Sequence, residues 1–167
     1  GHTYRLADRD NFTALLKELR MSNGPEFEIS FAAGGFTSYI DSAIDWKEAV
    51  RYTNFINIMS YDLVHGYSKS SGHHTPLYST PQQVESTDHA VQMMLRAGVP
   101  SSQLVIGSAF YGRYFKIDEG EVVGLYQPCH FDHSFPFKHS ADSLSEANGF
   151  VRYWWRTVAA RKTVCLD

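Results

Sequence analysis

Residues 59–62 read Met-Ser-Tyr-Asp and residues 111–113 read Tyr-Gly-Arg, and each group closes an apolar run. An ionised aspartate accepts hydrogen bonds, a phenol both donates and accepts, and a guanidinium is a fixed fork of donors. Tyr61 and Asp62 would stand at the carboxyl end of one strand, and Tyr111 and Arg113 at the end of the next. Two strand ends that each deliver a tyrosine and a charged group point to one concave site for a polar ligand. Blander roles exist for the same residues. Asp62 could cap a loop, Tyr61 could pack in a core, and Arg113 could simply pair with Asp62.

Other residue types carry less. Of eight histidines, His65, His73 and His74 fall in one loop, and His130, His133 and His139 in a later irregular stretch. A metal site needs three or four converging ligands, and spacing alone supplies two at most. These histidines read as solvated or loop-stabilising, and neither a metal nor a cofactor is expected. Ala33-Gly34-Gly35 lacks the third glycine of a dinucleotide fingerprint and the lysine of a phosphate loop. It is expected to let the chain turn after a strand. No serine lies in a Gly-x-Ser-x-Gly elbow, and Cys129 and Cys165 have no histidine at a recognisable spacing. Hydride transfer and serine or cysteine hydrolysis find no support.

The elements that must position these residues follow from hydropathy. Residues 27–33 (FEISFAA), 55–60 (FINIMS) and 104–110 (LVIGSAF) are near-continuous apolar runs, the pattern of strands buried on both faces of a parallel sheet. Phe12, Leu15, Leu16 and Leu19 form a helical stripe, and a second helix is expected over 42–52. Thr80, Pro81 and Gln83 carry the signals of a capping box, and Gly98 and Pro100 those of a helix end. The order is βα alternation, so the α/β class is expected. The loop over 62–79 exceeds the roughly 2–6 residues of an ordinary βα connection and follows a strand's carboxyl end, where α/β proteins place their sites. Residues 116–145 have no clear period and read as an insertion, and residues 149–160 as a helix.

Composition sets the limits. The chain has 167 residues, 43% apolar and 20% charged, a globular balance for one domain. A net charge of −3 disfavours binding to nucleic acid through phosphates. No apolar run approaches the roughly 20 residues that span a membrane, and no signal-peptide pattern opens the sequence. Two cysteines make no disulfide framework.

Four segments together resemble the family 18 glycoside hydrolases, the chitinases and their relatives. They are residues 55–62 (FINIMSYD), 72–78 (GHHTPLY), 98–100 (GVP) and 104–113 (LVIGSAFYGR), with the helix over 10–20 in addition. The resemblance covers about residues 8–115. It implies a (β/α)₈ barrel whose fifth, sixth and seventh strands are the three apolar runs. Residues 1–115 would be part of the barrel and residues 116–167 the start of an α+β insertion with an unaligned end. It further implies hydrolysis of chitin or chitooligosaccharides at β-1,4 bonds between N-acetylglucosamine units, with retention. In that chemistry the substrate's acetamido carbonyl is the nucleophile and a glutamic acid protonates the leaving oxygen. Tyr61 would orient the carbonyl, Asp62 would contact the sugar, and Met59, Tyr111 and Arg113 would line the pocket. A secreted, extracellular or periplasmic setting is implied as well.

The family's acid lies in an Asp-x-x-Asp-x-Asp-x-Glu motif that this sequence does not contain; its expected position falls just before Gly1. A barrel needs roughly 200 residues or more. The chain therefore reads as part of a chitinase, inactive by itself and lacking the remainder of its barrel. The competing reading is a chitinase-like lectin that holds chitooligosaccharide without cutting it. A third is a small α/β protein that matches by chance.

Overall fold

The computed structural model describes residues 5, 7–118, 125–140, 144–155 and 160–165. The chain forms two compact units. One comprises Gly1–Ser60 and Asp88–Gly107, the other Tyr61–Thr87 and Ser108–Asp167.

The first unit is built on three parallel strands, β1 (Ser30–Gly34), β2 (Phe55–Met59) and β3 (Leu104–Ile106), in that order across the sheet. Ala32 pairs with Asn57 and Ile56 with Leu104. Helices α1 (Ala7–Asn23), α2 (Thr37–Ser42), α3 (Trp46–Ala49) and α4 (Thr87–Arg96) accompany them. The α/β class and the parallel order agree with expectation. Burial on both faces does not. Ile56 and Ile58 are fully buried, while Asn57 and Met59 between them are only half-buried and Phe55 is exposed. One sheet face packs on Leu16, Ile40, Trp46, Ala90, Met94 and Val99. Burying one such isoleucine is worth about 1.5–3 kcal/mol.

Polar contacts fix where α1 ends and the first two strands begin. The Arg20 guanidinium donates to the carbonyls of Gly24, Pro25, Phe27 and Tyr52 and to Asn54 Oδ1, which also accepts the Ile29 N–H. The helix expected over 42–52 is broken instead. α2 ends at Ser42, and Asp45, in extended conformation, caps α3 by accepting the Glu48 N–H at 3.3 Å. The capping box also fails as a helix start. Gln83 N–H does donate to Thr80 Oγ1 at 3.0 Å, but the pair closes an isolated turn and α4 begins only at Thr87. Val84 is accordingly exposed and outside any helical face. Gly98, at φ +97°, ends α4's chain segment as expected.

Gly35 serves close approach rather than turning. Its N–H donates to Met59 O at 3.2 Å, and a Cβ there would lie 2.8 Å from Ser60 Cα.

The second unit contains two antiparallel pairs, β4 (Tyr111–Ile117) with β5 (Cys129–Pro136) and β6 (Phe150–Trp155) with β7 (Ala160–Cys165). Three expectations change here. The third parallel strand stops at Ile106, so Tyr111-Gly112-Arg113 opens β4 instead of ending β3. The stretch after Lys116 includes the regular strand β5, and the boundary expected at 115/116 falls inside β4. Residues 150–155, expected as helix, form β6, because aromatic and β-branched side chains suit an antiparallel ladder better than their helical spacing suggested. Residues 119–124, 141–143, 156–159 and 166–167 of these stretches lie outside the described residues.

Candidate functional site

Asp62 follows the end of β2 and adopts φ +57°, a left-handed conformation that aspartate tolerates better than most residues. Arg113 on β4 grips it at both oxygens, Nε to Oδ1 at 2.5 Å and Nη2 to Oδ2 at 2.6 Å. This fork-on-fork pairing is the strong form of an ion pair. The Tyr111 phenol acts electrostatically on the same carboxylate. The Arg113 guanidinium also lies over two rings, 5.7 Å from the centre of Tyr111 and 5.5 Å from that of Phe131. Tyr61 meets Tyr111 edge to face at 6.0 Å.

His74 completes the cluster. Its ring is 5.0 Å from that of Tyr111, and its Nδ1 accepts the Asp62 backbone N–H at 3.2 Å. An Nδ1 used as an acceptor carries no proton, so the 3.4 Å approach of that nitrogen to Asp62 Oδ1 is not an ion pair.

Titration follows from these contacts. Burial pushes the Asp62 carboxyl up, but Arg113 and Tyr111 outweigh it and hold the group below the usual carboxylate range. Burial lowers His74, with Asp62 opposing, and the ring favours its neutral form. Burial and the Asp62 carboxylate raise the Tyr111 phenol to about 12. The bond to Asp62 raises Arg113 further. At neutral pH Asp62 is a carboxylate, Arg113 a guanidinium, Tyr111 a neutral phenol and His74 a neutral imidazole. It can present hydroxyls and a fixed carboxylate to an uncharged polar ligand.

The expected residues Tyr61, Asp62, Tyr111 and Arg113 come together in the second unit, and the Arg113–Asp62 pair weighed as a structural alternative is present. Met59 ends β2 in the first unit, half-buried and paired in register with Gly34. Sequence reasoning missed His74 and Phe131. His74 lies in the 72–78 segment that carried the resemblance, the one signal that could have drawn attention to it. Phe131 sits in a stretch without period, and nothing short of the β4–β5 pairing reveals it. The remaining histidines do other work. His73 is buried, whereas His130 and His133 are exposed and bond Asp118 and Asp132. Among the described residues no cluster of three metal-ligating side chains occurs, and no helix is long and apolar enough to cross a membrane.

The family model for glycosyl hydrolases family 18 matches residues 3–163. The chain belongs to family 18 of the glycoside hydrolases. The match runs well past residue 115, where the resemblance read from the sequence stopped, and takes in most of the C-terminal stretch. Over 162 residues the chain is 32% identical to probable chitinase 2 of Drosophila melanogaster, covering 89% of this chain and 33% of that protein. It is 30% identical over 155 residues to the oviduct-specific glycoprotein of Mus musculus, with 88% and 21% covered. Among solved structures, a family 18 N-acetylglucosaminidase from Paenibacillus barengoltzii matches at TM-score 0.84 and 31% identity, over 99% of this chain and 54% of that one. A group IV chitinase of Ostrinia furnacalis, in complex with allosamidin, shares the fold at TM-score 0.88 and 21% identity, over 99% and 50%. The chain thus spans a fifth to a third of these curated relatives and about half of the solved chains.

Proposed function

We propose that this family 18 chain is a portion of a chitinase-type hydrolase, secreted and acting on chitin or chitooligosaccharides. In this reading β1, β2 and β3 are the fifth to seventh strands of a (β/α)₈ barrel whose remainder is supplied by other parts of the protein. The three parallel strands belong to that barrel, and the antiparallel pairs β4–β5 and β6–β7 to the insertion. The observation that carries the reading is the cluster of Tyr61 and Tyr111 around an Asp62 locked by Arg113.

Cleavage proceeds by the substrate-assisted retaining route. The acetamido carbonyl of the sugar attacks its own anomeric carbon and forms an oxazolinium ion, while a glutamic acid protonates the departing oxygen. Water then opens the oxazolinium and restores the original configuration. Tyr61 donates its hydroxyl to the acetamido oxygen and holds it in line, which supplies part of the entropic advantage of an internal nucleophile. Asp62, kept ionised by its partners, contacts the sugar, and Tyr111 and Arg113 line the cleft beside it. The acid belongs to a motif absent from these 167 residues.

Tyr61→Phe in the complete protein tests this reading. The hydroxyl matters most while the acetamido oxygen develops charge, so kcat should fall about 10²-fold with little change in KM. Unchanged turnover of a fluorogenic N-acetylglucosamine oligomer would remove Tyr61 from the catalytic set. A second reading, a lectin that binds the oligosaccharide without cutting it, draws on the 30% identity to an oviduct-specific glycoprotein, a relative whose name carries no chitinase activity. Saturable oligomer binding by a complete protein that shows no turnover would establish it.

A further inference from the structure

Gln83 reads in the sequence as a helix-capping residue, yet no helix starts there. Its side chain is used elsewhere in the same unit. Oε1 accepts the His73 N–H at 2.9 Å, and Nε2 donates to the His73 carbonyl at 2.8 Å. The amide thus engages both main-chain groups of one residue ten positions away, as a neighbouring strand would. Two features hold Gln83 ready for this. Its own N–H donates to Thr80 Oγ1 at 3.0 Å, and Thr80 N–H donates to its carbonyl at 2.9 Å. Thr80 Oγ1 is in turn 3.0 Å from the Tyr126 hydroxyl. The clamp also needs a bare backbone beside it. A Cβ on Gly72 would lie 2.7 Å from Gln83 Oε1 and 2.8 Å from Val64 Cγ2.

The clamped peptide leads directly into His74. That residue is bound to the opposite side, its carbonyl accepting Leu63 N–H at 3.1 Å and its Nδ1 accepting Asp62 N–H at 3.2 Å. Segment 72–74 therefore lies between Gln83 and the main chain of Asp62–Leu63. Asp62 holds a left-handed conformation, which persists only when its surroundings over-determine it. The His74 ring is the group that takes up the Asp62 N–H in that conformation.

We propose that Gln83 is a positioning residue, whose amide fixes the His73 peptide so that the His74 ring holds the Asp62 main chain, and with it Tyr61 and the Asp62–Arg113 pair, in working geometry. It rests on the reading of that cluster as the sugar site. Freeing the His73 peptide lets the His74 ring withdraw, and Asp62 and Tyr61 shift together. Because Tyr61 acts on the transition state, the loss appears mainly in kcat.

The test compares Gln83→Met, similar in length but without amide hydrogen bonds, with Gln83→Glu, which keeps the acceptor for His73 N–H and loses the donor. Both are made in the complete protein. Turnover of a fluorogenic N-acetylglucosamine oligomer should fall about tenfold for Gln83→Met, within the 10²-fold range of small misplacements, and less for Gln83→Glu. The fall should lie in kcat more than in KM. Nitrogen NMR of the His74 imidazole gives a second readout, independent of activity. The unsubstituted protein should show Nδ1 unprotonated and hydrogen-bonded, and Gln83→Met should lose that signature together with a shift of the Asp62 amide. A lower melting temperature with kcat, KM and the His74 signature unchanged would make Gln83 a loop brace and overturn the proposal. If the unsubstituted protein neither binds nor cleaves the oligomer, the sugar-site reading fails. The imidazole and amide signals would still decide whether Gln83 positions His74 and Asp62.

Discussion

In the first unit the side chains that vanish from solvent are mostly apolar, with Ala33, Ala49, Ile56, Ile58, Ala90 and Met94 all at 0% exposure and Ser60 the polar exception at 1%. In the second the buried set mixes Leu63, Val64, Pro76, Leu125 and Cys129 with Ser71, His73 and Ser86, so polar groups take a larger share of its interior. The first unit is held by area removed from water, which is tolerant of geometry and insensitive to pH. The second is held by hydrogen bonds, an ion pair and ring edges, which are directional and depend on protonation state. A region that must present ionised and hydroxyl groups to a ligand cannot wrap them in hydrocarbon, since unpaired buried polar groups are costly. Scaffold and site therefore draw on different forces.

The bluntest way to break this contrast is to deprive the scaffold of its remaining partners. Phe27, Phe55, Val105 and Ile106 are exposed along or near the three-stranded sheet, and its outer strands leave backbone groups unpaired. The 167-residue chain expressed alone should self-associate or bind a hydrophobic dye. It should not hydrolyse an N-acetylglucosamine oligomer, since a general acid contributes about 10²–10⁴-fold. Size-exclusion chromatography with a thermal melt is decisive, and a clean monomer with a sharp cooperative transition would refute the half-barrel reading.

Next in size is Ile58→Ala in the complete protein. It removes a fully buried side chain from the apolar cluster and should cost about 2–5 kcal/mol, read as a shifted urea midpoint. Its effect should not vary with pH. Arg113→Met acts on the other region. It leaves the partly buried Asp62 carboxylate without its bidentate partner and should cost about 1–3 kcal/mol, with the loss fading in acid as Asp62 takes a proton. An Ile58→Ala cost that changes with pH, or an Arg113→Met cost that does not, would dissolve the distinction.

The smallest effect is the pH dependence of the unsubstituted protein. Both Asp62 and His74 titrate lower folded than unfolded. Their stabilisation is present at neutral pH and is lost on acidification, beginning below about pH 6.5 for His74 and below about pH 3.9 for Asp62. The Tyr111 phenol shifts the other way, to about 12. Its contribution is complete below about pH 10 and disappears between there and pH 12. Denaturant midpoints across pH should trace these limbs, and Tyr111→Phe should flatten the alkaline one.

The sequence by itself determined the α/β class, three short apolar runs close to β1, β2 and β3, and four residues that meet in one cluster. Each rests on local pattern, since apolar periodicity and strand-end motifs are properties of a few neighbouring residues. It did not reveal that Ile56 and Ile58 face a core while Asn57 and Met59 do not, because an unbroken apolar run hides which face is covered. Nor could it separate Tyr111–Arg113 from the strand before them. Residues 104–113 are continuous in hydropathy, and only the pairing of Tyr111 with Pro136 shows that a new antiparallel ladder has begun. Gln83 makes the point most sharply. Its spacing from Thr80 satisfies a capping rule, and the turn it describes does form. The side chain's destination at His73 was decided by the chain folding back ten residues away, where the main chain offered both a donor and an acceptor.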